Sequence, residues 1–368
     1  MNKIEEKALK ILDILHENKH ESYIVGGYVR DKLIGRDSND IDICTSATPK
    51  EIMEIFPNTS SPNYGSINIV YKNTNFDITT FRKDIKYQDN RLPVKIKYIK
   101  SIRKDLLRRD FTINTFCINK DGKVKDYLNA TPDLNKKIIR TVGNPKNRLK
   151  EDALRILRAI RFATILEFDI ETKTEHYLTE YAHLLKNLSY QRKKQELDKI
   201  FTSNRKEKGI KLLIDLKVAE ALELTNLKDI IPCDDLIGIW AQINVDDIYP
   251  FTKVEKYQMK KIRELLNSDI HDLYNLYIYG LYTATVVYQI KKESITDLNK
   301  IYQSLPIHSS KDIALNGKDI SEILNKAPGN YLKEVTLDLE KQILDNKLDN
   351  TKEALEKYII ENYQKPEV

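Results

Sequence analysis

The stretch YIVGGYVRDKLIGRDSNDIDICT, residues 23–45, decides how the first third of the chain is read. An apolar, β-branched run enters Gly26-Gly27, a short helical pattern follows through Leu33, and Gly35 ends it. Paired glycines at a strand-to-helix junction let an anion approach the backbone amides and the helix start. Arg30, one turn into that helix, reaches the same anion. Ile41, Ile43 and Thr45 then predict a strand over Asp40–Cys44. In it Asp40 and Asp42 share one face and Ile41 and Ile43 the other. Two carboxylates roughly 6.5–7 Å apart at their Cα atoms repel each other. A positive partner is therefore expected: an arginine, a metal ion, or else only solvating water.

Outward from this stretch, the first 140 or so residues carry short β-branched runs at Ser22–Val25, Ile67–Tyr71, Phe76–Phe81 and Thr112–Ile118. Turn signals separate them, at Asn63-Tyr64-Gly65 and Lys120-Asp121-Gly122. Helical patterns flank them at Glu5–His16 and Pro49–Ile55. From about Leu149 the pattern is helical almost to the end, punctuated by Pro232, Pro250, Pro306 and Pro328. The expected fold class is α+β: an N-terminal sheet domain followed by an all-helical remainder.

The chain has 368 residues, 41% hydrophobic and 32% charged, with a net charge of +6. That length exceeds one core, and that charge is only permissive for nucleic acid. No apolar run approaches the roughly 18 residues of a membrane span, so no membrane partner is expected. Cys44, Cys117 and Cys233 are far apart and lack C-x-x-C spacing. They read as reduced thiols of a cytoplasmic protein rather than zinc ligands.

Two acids on one face of a strand suit Mg²⁺, which takes carboxylate oxygens and bridges phosphates in phosphoryl or nucleotidyl transfer. Asp77, in the run FDIT, is a candidate third acid. The segment GGYVRDKLIGR followed by DID resembles the first motif of the class II nucleotidyltransferases of the polymerase-β superfamily. RRDFTIN at 108–114 and EDALRILRAIRF at 151–162 resemble the second and third motifs. Three motifs in family order, with a helical remainder, bring the chain closest to the CCA-adding branch, beside the bacterial poly(A) polymerases. The resemblance implies a nucleotidyltransferase head over 1–147 and a neck over 148–205 with a nucleotide-templating helix. A body over 206–270 and a tRNA-binding tail over 271–368 complete the division. It also implies Mg²⁺ on Asp40 and Asp42, and nucleotide binding by Gly27, Arg30, Arg109 and Asp110, with Asn114 near the ribose. Its partners would be CTP, ATP and the 3′ end and acceptor arm of tRNA.

The third motif also reads without the family. As one helix over 151–166, it buries Ala153, Ile156, Leu157 and Ile160 on one side. Asp152, Arg155, Arg158 and Arg161 then spiral along the other. A solvated helix with an Asp152–Arg155 ion pair is the plain interpretation. The functional one uses hydrogen-bond pattern. Cytosine and adenine each present an amino donor beside a ring-nitrogen acceptor, which a carboxylate and a guanidinium complement. Guanine and uracil present the reverse. In the family this acid–arginine pair stands in for a nucleic-acid template, with Glu151 as support and Arg158 and Arg161 on triphosphate and base.

Residues 82–98, RKDIKYQDNRLPVKIKY, resemble the flexible loop with which CCA-adding enzymes switch from C to A addition. Asn90 and Leu92 depart from the family form. Basic clusters at 192–194, 205–208 and 260–263 are either a phosphate track for RNA or solvated helix faces. The expected activity is template-free addition of CCA to tRNA. An A-only adder or poly(A) polymerase, a small-molecule nucleotidyltransferase and a non-catalytic RNA-binding protein are the rivals.

Overall fold

The computed structural model describes residues 3–57, 59, 65–88 and 92–364. It divides into two compact units, residues 1–228 and 229–368. In the first unit, helix α1 (Lys3–Glu17) leads into β1 (Ser22–Val25), α2 (Gly27–Leu33), β2 (Asp42–Thr45), α3 (Pro49–Ile55), β3 (Ser66–Tyr71) and β4 (Thr74–Thr80). Next come the hairpin β5 (Arg82–Gln88) and β6 (Leu92–Tyr98), α4 (Ile102–Leu106), β7 (Cys117–Ile118), β8 (Val124–Lys125) and α5 (Thr131–Asn135). The main sheet has the order β3-β4-β2-β1-β7-β8. β1 is buried along its whole length. It pairs antiparallel with β2 and β7, whereas β2 and β4 run parallel.

Pleating fixes which side chains share a face. Val25 is opposite both Asp42 and Cys117, and Tyr23 is opposite Cys44. Tyr23, Val25, Cys44 and Cys117 accordingly form one cluster, closed by Phe81, Ile102 and Leu106. Asp42 stands at the open margin of that same face. Asp77 is in register beside it on β4, where its Oδ1 accepts a hydrogen bond from Asn68 at 3.1 Å.

Several elements differ from the sequence expectation. The strand over Asp40–Cys44 begins only at Asp42, so Asp40 lies just before it. The run Thr112–Ile118 is a 3₁₀ turn at Thr112–Asn114 followed by the two-residue β7. Side-chain bonds win there: Thr115 Oγ1 donates to the Thr112 carbonyl at 2.6 Å and Asn114 Nδ2 to Asp110 at 3.0 Å. The polar segment 82–98 is an antiparallel hairpin with register shifts between Asp84 and Tyr87. Asn90, and with it the tip of the expected loop, lies outside the described residues, as do Asn63 and Tyr64 of the expected turn.

Helices α6 (Pro145–Glu151), α7 (Leu154–Leu166), α8 (Thr172–Glu180), α9 (Tyr190–Phe201) and α10 (Lys206–Asp215) follow in the first unit. α7 is the buried centre of this layer, with Ile156, Leu157, Ala159, Ile160 and Ala163 fully inaccessible. It packs against both α9 and α10. The second unit is helical by itself. Its core gathers Leu305, Ile320, Val335, Leu339, Leu344 and Leu355. Its helix at Leu273–Lys291 is interrupted at Gly280, which takes φ 78°, ψ 164°.

Most cations of the three basic clusters have partners inside the protein. Lys193 is buried against the Tyr190 ring at 4.2 Å, Lys194 pairs with Asp198 at 2.8 Å and Lys208 donates to the Phe168 carbonyl at 2.9 Å. Lys261 donates to the Tyr279 carbonyl at 2.9 Å, and Arg263 forms two 3.0 Å bonds to Asp246.

The α7–α10 contact is testable at Gly209. A Cβ there would collide with Ile200 Cγ2 and stand 2.8 Å from Thr164 Oγ1, and Thr164 is fully buried. Gly209→Ala should destabilise the protein by about 1–3 kcal/mol through overpacking. Urea unfolding checks this, and an unchanged midpoint would show that α10 has room to shift.

Candidate active site

β1 ends at Gly26, whose φ of 81° falls in the region that side chains avoid. The position also adjoins two groups of the site, at ordinary contact distance. A Cβ on Gly26 would lie 3.4 Å from Asp42 Oδ2 and 3.5 Å from Arg109 Nη1. Glycine thus lets the chain turn into α2 while the carboxylate and the guanidinium come together beside it.

The segment expected as one helix over 151–166 is two helices. Asp152, between α6 and α7, has φ −145° and ψ 102°, and its Oδ1 accepts the Leu154 N–H at 3.1 Å. That satisfies one of the donors a helix start leaves unpaired. An aspartate with this capping habit was the available signal for a break, which the strong apolar stripe masked. The break changes the partners of Arg155. Its Nη1 donates to Glu151 Oε2 at 3.2 Å and to the Arg148 carbonyl at 2.9 Å, and its Nη2 to the Arg108 carbonyl at 3.0 Å. The Asp152–Arg155 ion pair of the plain interpretation does not form. Of five guanidinium donors, Arg155 keeps Nε–H and one Nη2–H. Asp152 keeps Oδ2 without a hydrogen bond among the described residues.

Both groups line a cavity of about 680 Å³ within the first unit. Gly27, Arg30, Asp40, Asp42, Arg109, Asp110, Asn114, Arg158 and Arg161 line it too, so the site residues expected from sequence, Asp77 and Glu151 apart, reach one place. Eight cationic side chains and four carboxylates face this space. Asp77 does not line it, although it stands beside Asp42. The cavity also takes in Ser66, Thr79, Arg82, Phe162 and Lys199, which the sequence reading did not single out. Phe162 follows directly on the arginine spiral. Its ring lies 5.0 Å from Arg30, 5.4 Å from Arg158 and 4.4 Å from Arg161. The ring face moderates the repulsion among three guanidiniums.

The arginines have carboxylate partners of unequal quality, with hydrogen bonds at Arg30 and Arg158 and ion-pair contact alone at Arg109 and Arg161. Arg30 donates to Asp31 at 2.8 and 2.9 Å and to Asn114 Oδ1 at 2.6 Å. Arg109 pairs with the buried Asp105 at 3.5 Å. Arg161 lies 3.2 Å from Glu196. Arg158 donates twice to Asp110 Oδ2, at 2.9 and 2.6 Å. Asp110 Oδ1 accepts the Phe111 N–H and Asn114 Nδ2. All four lone-pair directions of Asp110 are therefore engaged, and a ribose hydroxyl would have to displace one of these donors.

Burial opposes the charge on Asp110, but Arg158 and the Asn114 hydrogen bond overcome it and hold the carboxyl well below the usual range. Asp42 moves the opposite way. Burial raises its pKa first, then the carboxylates of Asp40 and Asp77, with Arg109 only partly opposing. Asp40 and Asp42 offer hard oxygen donors to the same cavity, which suits a divalent cation held by two carboxylates, since no group of three or more such side chains placed to share one ion occurs among the described residues. Burial likewise pushes Asp152 up, against Arg155.

Asp110 provides a pH test. Its folded pKa is depressed, so its stabilisation is present above the ordinary aspartate value near 3.9 and is lost as pH falls through the lower folded value. Asp110→Asn should cost about 1–3 kcal/mol at pH 7, with the deficit shrinking once pH falls below about 3.9, where the unfolded chain takes up a proton that folded Asp110 does not. Urea unfolding of both proteins between pH 7 and pH 3 checks it. A pH-independent deficit would mean that shape, not charge, matters at this position.

Comparison with known proteins agrees with this geometry. Residues 22–140 match the family described as "Poly A polymerase head domain". Residues 167–227 match "Probable RNA and SrmB- binding site of polymerase A", and residues 252–359 match "tRNA nucleotidyltransferase domain 2 putative". The CCA-adding enzyme of Anoxybacillus flavithermus is 32% identical over 99% of both chains. That of Staphylococcus haemolyticus is 34% identical over 97% of this chain and 98% of its own. The crystal structure of the Bacillus stearothermophilus CCA-adding enzyme in complex with CTP superposes with a TM-score of 0.84 at 27% identity, covering 98% of each chain. Similarity sustained from end to end, and not only across the head, places this chain in the CCA-adding enzyme family.

Proposed function

We propose that this protein adds C, C and A to the 3′ end of tRNA from CTP and ATP, without a nucleic-acid template. The observation that carries the proposal is the convergence of the Asp40/Asp42 pair and the Asp152/Arg155 pair on one cavity. The first pair suits metal-assisted nucleotidyl transfer and the second a base-reading surface. In this reading the head (1–147) carries the metal and phosphate groups, and the neck (148–205) reads the base. The body (206–270) and tail (271–368) hold the tRNA. All three cysteines are free, in keeping with a reducing cytoplasm.

Mg²⁺ on Asp40 and Asp42, when bound, would acidify the tRNA 3′-hydroxyl and neutralise the departing pyrophosphate. The chain's own groups do the positioning. Asp152 Oδ2 accepts the N4 amino group of cytosine or the N6 amino group of adenine. The remaining Arg155 donors meet cytosine N3 or adenine N1. Glu151, Arg148 and Arg108 hold that guanidinium still, so the reading surface is set before the nucleotide arrives. Gly27, Arg30, Arg158 and Arg161 face the triphosphate, and Arg109 counters the charge of Asp42. The 3′-oxygen bonds to the α-phosphorus, the bond to the bridging oxygen breaks, pyrophosphate takes the electron pair, and water takes the hydroxyl proton.

Removal of either metal-facing carboxylate tests the chemistry. Asp40→Ala and Asp42→Ala should each lower C and A addition at least roughly a thousandfold, while tRNA binding persists through phosphate contacts elsewhere. The assay supplies tRNA lacking its last three nucleotides with each NTP singly and with CTP and ATP together. Retained addition by either variant in Mg²⁺ removes the two-carboxylate assignment. A wild-type protein that adds A alone is an A-only enzyme or a poly(A) polymerase.

The base-reading pair has its own test. Asp152→Ala removes the acceptor and Arg155→Ala the donor. Each should reduce discrimination against UTP and GTP by about 1–3 kcal/mol, roughly ten- to a hundredfold. Comparing kcat/KM for all four NTPs measures it. A uniform loss that keeps the wild-type preference ratio would make the pair structural.

A further inference from the structure

A second cavity, of about 700 Å³, lies beside the first within the same unit. Lys199 lines both. The others along it include Arg36, Ile165, Glu167, Ser203 and Arg205. Lys199 is exposed, and no hydrogen bond or ion pair engages its ammonium group among the described residues. Arg36 donates through Nη1 to the Ile165 carbonyl at 3.3 Å and has no carboxylate partner there. Only Arg205 is paired, with Glu167 at 2.9 Å, and both of those side chains are more than half exposed. Three exposed cations against one carboxylate leave this cavity with a net positive charge, which favours an anion.

The position along α7 identifies the anion. Arg192 on α9 lies in the field of Asp152, Glu196 pairs with Arg161, and Arg205 pairs with Glu167. Reading along α7 and α9 together therefore gives the base-reading groups, then Arg158, then Arg161, then Lys199, then Arg36 beside Ile165. At 1.5 Å per residue, Arg155 and Ile165 are about 15 Å apart along the axis. In the reading given above, the base meets Asp152 and Arg155 and the phosphates meet Arg158 and Arg161, and Lys199 joins that end of the nucleotide cavity to the second one. Attacking and leaving oxygens are in line across the transferred phosphorus. On that placement the leaving group faces the end at which Lys199 joins the two cavities, and the RNA 3′ end approaches from the opposite side.

From this arrangement we infer that the second cavity is a departure site for pyrophosphate, which Lys199 passes from the nucleotide cavity to Arg36 and Arg205. The inference rests on the nucleotidyl-transfer reading given above. Glu167 competes with the anion for Arg205 and so keeps its hold loose.

The test is isothermal titration of pyrophosphate, with MgCl₂, into full-length protein held in saturating CTP at low ionic strength with no RNA. The nucleotide cavity is then filled and no turnover occurs. CTP binding is titrated first, and its failure counts against the functional reading rather than this site. Wild type should bind one pyrophosphate per chain. Arg36→Gln and Lys199→Gln should each weaken it roughly three- to tenfold. Glu167→Gln should tighten it by roughly threefold, a gain that misfolding cannot imitate. Absence of binding in the presence of CTP, or equal affinity in all four proteins, overturns the inference. Unchanged pyrophosphate affinity with weakened tRNA binding in Arg36→Gln would assign the cavity to RNA phosphates instead.

Discussion

The site depends on keeping many like charges close together. Eight cations facing one cavity repel one another, so holding them there requires partners within the protein. Asp110 is the principal constraint. It is buried, all its lone pairs are engaged, and through Arg158 it ties the loop after α4 to α7. Through Asn114 it reaches Arg30 on α2. One carboxylate thus fixes two guanidiniums from two separate helices. Asp105 and Glu196 stand beside Arg109 and Arg161 as ion-pair partners without a well-formed hydrogen bond, and the Phe162 ring lies close to three of the cations. Preorganisation of this kind is what electrostatic catalysis requires, because charges already fixed need no reorganisation during reaction.

The same economy explains the two carboxylates that are less well compensated. Asp42 and Asp152 both have raised pKa values, with burial the leading cause in each. Neither has its negative charge fully met by the protein. Asp42 faces Asp40 and Asp77, and Asp152 keeps one oxygen without a hydrogen bond. A stability-optimised fold would pair such groups. Leaving them open is intelligible where the missing partners are a cation and the amino group of a base.

Chain segments of very different character contribute to this one cavity. β1 and β2 provide a rigid base from which Gly26 turns the chain and Asp42 projects. The loop after α4 provides Arg108, Arg109 and Asp110, held by side-chain bonds that replace the expected strand. The kink at Asp152 turns a carboxylate out of the helical register while α7 runs on with its arginines. Gly26 and the kink are both departures from regular structure, and both sit where the site needs an atom that regular structure could not place.

Most of the charged residues that line the cavity were legible in the sequence because their chemistry is local. Paired glycines, an Asp-x-Asp alternation and an arginine every third position each announce themselves over a dozen residues. The sheet-then-helix order was legible for the same reason, since a period of two gives way to a period of 3.6. Pairing lay beyond the sequence. Nothing in it says that Asp110 binds Arg158, that Arg155 answers Glu151 rather than Asp152, or that Asp77 stands beside Asp42 yet outside the cavity. These depend on register and on helix packing, which bring together residues tens of positions apart. The break at Asp152 and the 3₁₀ turn at Thr112 are decided by single hydrogen bonds, against which hydrophobic periodicity is a weak indicator. Chemical identity is a property of residues and survives in the sequence, whereas partnership is a property of distance and exists only once the chain is folded.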